Sequence, residues 1–241
     1  MGQTGQTGRT GQMEGDAVVA LHAIHATLNM VHGSLADEYP EQLMIARFVR
    51  PDATVLELGG NVGRSSCVIA SILDDSARLV VFESDPVTAA QLKDNRDANG
   101  MAFHIEAAAL SRCPLVQFGW DTVPWEGEED EPVPAGWTRV VTRGWRQTLD
   151  TYASLRFDTL VADCEGALFY ILRDHPGFLD GFRTVLIEND FRSMEHKAYC
   201  DITFARHGFR VAYSEAGGWG PCQDRFYEVW VKADDQVKFM L

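Results

Sequence analysis

The chain has few basic residues for its length. Its 241 residues include 21 lysines and arginines against 35 aspartates and glutamates, which gives a formal net charge of -14. Nucleic-acid binding normally begins with a basic stripe that neutralises phosphates, and anionic membrane surfaces attract basic segments in the same way. Because the sequence shows no such stripe, we expect neither a nucleic acid nor a membrane surface as a partner.

The chain also lacks paired cysteines, a long apolar run and a secretory signal. The five cysteines are scattered and form no C-x-x-C pair; they are Cys67, Cys113, Cys164, Cys200 and Cys222. This usage predicts reduced thiols in a cytoplasmic protein. No segment approaches the roughly 20 consecutive apolar residues that a membrane-spanning helix needs. The N-terminus is polar and glycine-rich, unlike a signal peptide.

What is present is enough apolar sequence for one large domain. Hydrophobic residues make up 46% of the chain, which predicts a single domain over residues 16–241. Residues 1–15 repeat Gly-Gln-Thr and are predicted to be a flexible leader or an expression remnant. An amphipathic helix is predicted from Asp16 to near Gly33, within a helical extension over residues 16–50.

Apolar strands and helices alternate after this extension. Strands are predicted over residues 54–58, 79–82, 102–105, 159–162, 184–187, 209–213 and 226–231. Such alternation indicates a parallel sheet with helices on both faces. The last two strands have no helix between them and predict an antiparallel hairpin. The expected fold class is therefore α/β, with a Rossmann-like, mostly parallel seven-stranded sheet and an antiparallel C-terminal hairpin.

The most informative stretch is a glycine-rich turn between the first strand and the next helix, Glu57-Leu58-Gly59-Gly60-Asn61-Val62-Gly63. Glycine permits a sharp turn with φ > 0 and lets a ligand approach the backbone. About 20 residues further on, a second apolar strand ends at Glu83, where a Rossmann-type site places a carboxylate for ribose hydroxyls. The turn and this acid together predict an adenosine-containing cofactor.

The acid in the first strand favours one cofactor over another. Glu57 would repel the pyrophosphate of a dinucleotide, whereas it suits the sulfonium and amino groups of S-adenosylmethionine. A nicotinamide-dependent dehydrogenase shares the strand, turn and distal acid and is an alternative. A non-catalytic module that binds S-adenosylmethionine is another.

Position in the predicted fold assigns each residue of the cofactor site. The methionine part is expected beside Glu57, Gly59, Gly60, Asn61 and Gly63, with Glu41 and Asp163 at its amino acid end. The ribose is expected at Glu83 and Ser84, and the adenine at Glu106 and Ala107.

Three acids at later strand ends are the candidates for chemistry. Asp163 and Glu165 follow one apolar strand, and Glu188 ends another. Ligands of open α/β sheets bind beyond the carboxyl ends of strands, so these acids should face the cofactor crevice. They are expected to bind Mg²⁺ or another divalent cation, or to act as a general base, a role for which His196 is also a candidate. Capping of a helix is the structural alternative for Asp163 or Glu165.

Residues 119–139 form an acidic segment with three tryptophans, Trp120, Trp125 and Trp137. A solvated loop is the simplest interpretation. The alternative is a mobile flap whose tryptophans stack on a sugar ring, because tryptophans in a polar loop have little core to join.

These elements, taken together, resemble the FkbM family of S-adenosylmethionine-dependent methyltransferases. The matching segments are the glycine turn with Asn61, Phe82-Glu83-Ser84-Asp85-Pro86 followed by Leu92, Asn95 and Asn99, Ala108-Ala109-Leu110-Ser111, Thr148-Leu149-Asp150, Asp163-Cys164-Glu165-Gly166-Ala167 and Ile187-Glu188. The resemblance implies a class I methyltransferase fold and O-methylation of a hydroxyl on a sugar, glycan or glycosylated small molecule. The chain departs from the family at Val161, where a lysine is common, and at Leu168, where a glutamate is common.

Overall fold

Strands and helices alternate along the computed structural model, which describes residues 4–128 and 130–233. The strands are β1 (Val55–Leu58), β2 (Leu79–Phe82), β3 (His104–Glu106), β4 (Ala109–Leu110), β5 (Leu115–Phe118), β6 (Asp121–Pro124), β7 (Thr138–Val140), β8 (Thr142–Arg143), β9 (Thr159–Ala162), β10 (Thr184–Glu188), β11 (Phe209–Glu215) and β12 (Tyr227–Lys232). The helices are α1 (Thr4–His25), α2 (Tyr39–Phe48), α3 (Arg64–Ile72), α4 (Pro86–Ala98), α5 (Trp145–Thr151), α6 (Ala167–Asp174) and α7 (Met194–Arg206).

The main sheet has seven strands in the order β11-β12-β10-β9-β1-β2-β3. Strands β3, β2, β1, β9 and β10 run parallel, and β12 is antiparallel to both β10 and β11. The predicted fold class, with its antiparallel C-terminal hairpin, is confirmed. The chain order of the strands reverses between β1 and β9, and in open α/β sheets such a switch point opens a crevice beyond the strand ends.

Each face of the sheet carries its own hydrophobic core. Val55 of β1 belongs to the core under α1 to α4, whereas its neighbour Leu56 belongs to the core under α6 and α7. Successive side chains of a strand point to opposite faces, so a strand covered on both sides is expected to be mostly apolar. The central strands are accordingly apolar runs in the sequence, with Glu57 of β1 as a buried charged exception.

The first helix differs from its prediction at both ends. It begins at Thr4 instead of Asp16 and ends at His25 instead of near Gly33. Beyond His25 the backbone finds partners outside the helix: the amides of Val31 and His32 donate to Asn95 Oδ1 at 2.7 and 3.0 Å. These tertiary hydrogen bonds replace helical ones and end the helix early. Residues 1–3 lie outside the described residues, and a flexible leader over residues 1–15 stays a prediction.

The segment predicted as an acidic loop contains strands. Strand β6 lies within residues 119–139 and β7 begins there and ends at Val140; the two pair antiparallel on either side of β5, in the order β6-β5-β7. The loop prediction is therefore wrong at these strands. The partner strand β5, with its buried Val116, precedes this segment in the chain. The sequence of residues 119–139 alone therefore does not reveal the pairing.

The cysteines form no disulfide among the described residues. All five cysteines are free, as the sequence predicts. Within the described ranges, the helices include none with the length and apolar character that crossing a bilayer requires.

Candidate functional site

A cavity of about 380 Å³ opens at the carboxyl ends of β1, β2 and β9. Its floor includes Gly59, Glu83 and Asp163, and its far wall comes from the small three-stranded sheet and α6. The volume lies within the range of roughly 300–1,000 Å³ that small-molecule sites occupy. A cavity therefore lies at the switch point of the sheet, where the crevice is expected.

Close packing around the turn requires glycine at three positions. Gly59 has a φ of +89°, and a Cβ there would lie 1.6 Å from the carbonyl oxygen of Asp163. A Cβ on Gly60 would lie 2.2 Å from Val81, and one on Gly63, with a φ of +95°, 2.5 Å from Leu92. Of the three glycines, Gly59 lines the cavity, whereas Gly60 and Gly63 fit the turn against the neighbouring strand and α4.

Glu83 is fixed at the cavity wall by the backbone around it. The amide of Asn61 donates to its Oε2 at 2.8 Å, and the amide of Asp85 donates to its Oε1 at 2.8 Å. Burial raises the pKa of Glu83, and these two hydrogen bonds oppose the shift. Ser84 and Asn61 line the cavity beside it. Three of the predicted cofactor-binding residues are thus in one place, with the carboxylate oriented before any ligand binds.

Three carboxylates converge next to the cavity. Oxygen atoms of Glu41, Asp163 and Glu188 all lie within 4.8 Å of one another. Asp163 and Glu188 stand at the ends of neighbouring parallel strands, and Glu41 comes from the first turn of α2, where its Oε2 accepts a hydrogen bond from Ser65 at 2.6 Å. We call Glu41, Asp163 and Glu188 the acid cluster.

Burial and mutual repulsion raise the pKa of every member of the acid cluster. The pKa of Glu188 rises to about 9, by burial first and then by Glu41 and Asp190. Burial and Glu188 raise the pKa of Asp163, and burial and Asp163 raise that of Glu41. A cation bound here would stabilise the ionised carboxylates, because an opposite charge at close range favours the charged form.

Glu57 lies on the same face of the sheet and has no compensating partner. Its side chain is 1% exposed, and neither carboxylate oxygen has a hydrogen-bond partner in the described part of the chain. Burial raises its pKa to about 8, and the nearby carboxylates of Glu38 and Glu83 add to the shift. An ionised carboxylate without a partner is unfavourable, so Glu57 also favours a positive charge nearby.

Two predicted catalytic residues lie outside the acid cluster. Glu165 lines the cavity with an exposed side chain and has a backbone φ of +52°. The charges nearest its carboxylate are those of Arg192 and Asp121, which form an ion pair. His196 stacks on Phe169, with ring centroids 3.8 Å apart and planes 5° from parallel, and it does not line the cavity. The structure therefore unites Asp163 and Glu188 with Glu41.

The two residues predicted to contact adenine, Glu106 and Ala107, do not line the cavity. Glu106 accepts a hydrogen bond from the hydroxyl of Tyr152 at 2.5 Å and pairs with Arg143 at 3.0 Å. Both its oxygens are therefore engaged by the protein. The cavity wall at this point comes from residues 108–110 instead of Glu106 and Ala107.

Sequence patterns missed several residues of the site. Glu38 lines the cavity with a φ of +57° and accepts a hydrogen bond from Arg64 at 2.9 Å. Tyr227 pairs with Glu188 across β10 and β12, and burial together with Glu188 raises the pKa of its hydroxyl. Neither belongs to a recognisable motif, and Tyr227 meets Glu188 only through the pairing of β10 with β12.

Solved structures share the fold of this chain at low sequence identity. A protein of the NADB-Rossmann superfamily from Streptococcus agalactiae has 12% identity and a TM-score of 0.50, over 85% of this chain and 71% of that chain. An O-methyltransferase from Bacillus cereus in complex with SAH has 14% identity and a TM-score of 0.48, over 92% and 91%. Aeropyrum pernix fibrillarin with natively bound S-adenosyl-L-methionine has 13% identity and a TM-score of 0.46, over 80% and 74%.

The likeness is one of fold. No family model and no curated protein matches the chain. A shared fold does not by itself determine a function, which depends on the residues of the site.

Proposed function

We propose that the chain is an S-adenosylmethionine-dependent O-methyltransferase that acts on a hydroxyl of a sugar, a glycan or a glycosylated small molecule. The observation that carries the proposal is the concentration of carboxylates at the glycine turn. Glu41, Asp163 and Glu188 lie within 4.8 Å of one another, and Glu57 is buried on the same face of the sheet. This environment suits a sulfonium and an ammonium group and opposes a pyrophosphate.

Glu83 supports the proposal at the ribose end of the cofactor. Its two oxygens are held by backbone amides at 2.8 Å, and each oxygen has a further lone pair for a hydroxyl. A carboxylate at the end of the second strand is the position that recognises ribose in Rossmann-type sites. An adenosine-containing ligand therefore fits the wall that Glu83, Ser84 and Asn61 form.

Methyl transfer requires alignment of the acceptor hydroxyl and removal of its proton. Asp163 lines the cavity, whereas Glu188 and Glu41 lie behind it. A general base works best when its pKa is near the working pH, and burial together with Glu188 raises the pKa of Asp163. Asp163 is thus the residue that we assign to the acceptor proton.

The geometry also favours a divalent cation in the acid cluster. Hard cations such as Mg²⁺ take carboxylate oxygens as ligands, and Glu41, Asp163 and Glu188 each offer one. The sequence predicts Glu165 as the third metal ligand, whereas Glu41 is the third carboxylate of the acid cluster. The acid cluster could bind a divalent cation or balance the positive charge of the cofactor, and a chelator distinguishes these two roles. If the chelator abolishes transfer but not cofactor binding, the acid cluster holds a metal. If it has no effect, the acid cluster balances the charge of the cofactor.

An aromatic surface at the cavity supports a carbohydrate acceptor. Trp120 and Tyr170 line the cavity with 64% and 39% of their surface exposed. Trp125 instead lies under Arg139, and Trp137 packs on Phe118. Aromatic rings with an exposed face suit the apolar side of a sugar ring.

The test begins with calorimetric titration of S-adenosylmethionine and NAD, because binding of NAD alone would contradict the proposal. Mass spectrometry then follows transfer of a labelled methyl group to a panel of sugars, with and without chelator. We expect Asp163→Asn to abolish transfer and to leave cofactor affinity nearly unchanged, because Glu41, Glu57 and Glu188 remain to balance the charge of the cofactor. Asp224→Asn, which changes an exposed aspartate, is the matched control. Full turnover by Asp163→Asn would remove Asp163 from the chemistry.

A further inference from the structure

The wall of the cavity opposite the strand ends carries positive charge. Its cationic side chains are Arg112, from the segment after β4, and Arg173, near the end of α6, with His175 following that helix. The acids Glu38, Glu83, Asp163 and Glu165 line the other part of the cavity. In a chain with a net charge of -14, this segregation of charge within one cavity indicates a ligand with charged groups at separate ends.

The two arginines have hydrogen-bonding capacity to spare. Arg112 donates from Nη1 to the carbonyl oxygen of Asp174 at 3.1 Å, and this is its one hydrogen bond among the described residues. Arg173 donates from Nε to Asp174 Oδ1 at 2.8 Å, and its guanidinium lies 5.1 Å from the ring centroid of Tyr170. Asp174 balances one of the two positive charges, so this wall keeps a net positive charge. A guanidinium has five N–H donors, so most of them are available to a ligand.

His175 adds a buried nitrogen without a partner. Its Nε2 is shielded from solvent and, within the described ranges of the chain, has no hydrogen-bond partner. Burial and Arg112 lower the pKa of His175, which favours the neutral ring. A neutral imidazole can carry its hydrogen on Nε2 and donate it. A buried polar atom without a partner is unfavourable, and a ligand oxygen at this wall would satisfy it.

We propose that the acceptor carries an oxyanion, a carboxylate or a phosphate, that binds to Arg112, Arg173 and His175. The inference rests on the proposed function, since it concerns the substrate of that same cavity. The acids at the strand ends repel the oxyanion and the arginines attract it, so the charge directs the acceptor to bind with its acidic group at α6 and its hydroxyl toward Asp163. The substrate class is therefore an acidic sugar or a phosphorylated sugar.

The experiment compares three sugars that differ in charge. Glucose, glucuronate and glucose 1-phosphate are titrated calorimetrically into the protein, with and without saturating S-adenosylmethionine. We expect at least one acidic sugar to bind about tenfold more tightly than glucose, because charge-assisted hydrogen bonds are about twice as strong as neutral ones. Comparison of glucuronate with glucose 1-phosphate distinguishes a carboxylate from a phosphate as the bound group.

Variants then assign the preference to the basic wall. The double variant Arg112→Ala/Arg173→Ala should bind all three sugars with similar affinity, and Arg112→Lys should retain part of the preference. Arg146→Ala, which removes an exposed arginine of α5 outside the cavity, should behave as the wild type. Equal or absent binding of the three sugars by the wild type, or a preference that survives the double variant, would overturn the inference.

Cofactor titration of the same variants separates this inference from the proposed function. If the double variant keeps its thermal transition but loses S-adenosylmethionine affinity, the basic wall belongs to the cofactor and the inference is wrong. If the wild type prefers acidic sugars but binds no S-adenosylmethionine, the proposed function fails while the anion site stands.

Discussion

Gly59 and Asp163 meet through their backbones at the floor of the cavity. A Cβ on Gly59 would lie 1.6 Å from the carbonyl oxygen of Asp163, far inside any possible contact distance. The two residues follow β1 and β9, the neighbouring strands between which the strand order reverses. The glycine therefore permits the two strand ends to lie side by side and brings the carboxylate of Asp163 next to the glycine turn.

Gly59→Ala should destabilise the protein strongly. The substitution places a Cβ against Asp163 and puts alanine at a φ of +89°. We expect a loss of about 2 kcal/mol or more in the free energy of unfolding, measured by urea denaturation. Gly144→Ala is the control, because Gly144 has a φ of -77° and no atom lies within 4 Å of an added Cβ. A Gly59→Ala variant as stable as the control would contradict the close contact.

Glu83→Gln should weaken cofactor binding. The amide side chain keeps the size of Glu83 but replaces one acceptor oxygen with a donor, which faces the backbone amide of Asn61 or Asp85. We expect the dissociation constant of S-adenosylmethionine, measured by calorimetry, to rise about tenfold. Glu195→Gln, an exposed glutamate of α7, should bind the cofactor normally. Unchanged affinity in Glu83→Gln would refute the ribose assignment.

The stability of the ligand-free protein should fall as the pH rises. Folding raises the pKa of Glu188 from 4.5 to about 9 and that of Glu57 from 4.5 to about 8. Between these values the folded protein holds protons that the unfolded chain has released, so their contribution is complete below about pH 4.5 and is lost toward pH 9. Urea denaturation at pH 6 and pH 9 should show a decrease of at least about 1 kcal/mol.

Glu188→Gln tests the origin of this pH dependence. The variant cannot ionise at position 188, so its stability should fall less between pH 6 and pH 9 than that of the wild type. Glu195→Gln should retain the slope of the wild type, because Glu195 lies outside the acid cluster. An unchanged slope in Glu188→Gln would mean that the acid cluster does not control the stability in this range.

The ion pair of Asp121 and Arg192 should position Trp120, one of the two exposed aromatic residues at the cavity. It connects the turn that carries Trp120 to the segment after β10, next to Glu165. Because both side chains are partly exposed, the pair adds little to the free energy of folding. We expect Asp121→Asn to raise the KM of the acceptor about threefold or more while S-adenosylmethionine affinity stays constant.

The control for this pair is Asp150→Asn, which removes one side of the exposed pair with Arg146 on α5. It should leave the KM of the acceptor unchanged. A normal KM in Asp121→Asn would show that the small sheet keeps its position without this pair.

Much of the architecture follows from local patterns. The alternation of apolar strands and helices predicts the parallel sheet, because strands covered on both faces are expected to be mostly apolar. Gly59, Glu83 and Asp163 line one cavity and Glu188 lies behind it, because the carboxyl ends of parallel strands meet at one edge of the sheet. These inferences need only the order of the elements along the chain.

The membership of the acid cluster was decided by packing. Glu165 is two residues from Asp163, yet its backbone at a φ of +52° leaves it outside the cluster, whereas Glu41 joins from α2. The small sheet likewise leaves Trp120 at the cavity and gives Trp125 and Trp137 other contacts.

The sequence by itself thus determined the sheet, the crevice and the acids at its strand ends, because each depends on residues close together in the chain. Only the tertiary structure decided that Glu41 completes the acid cluster and that Arg112 and His175 share a wall. Those contacts join segments far apart in the chain, and how such segments pack depends on the whole core.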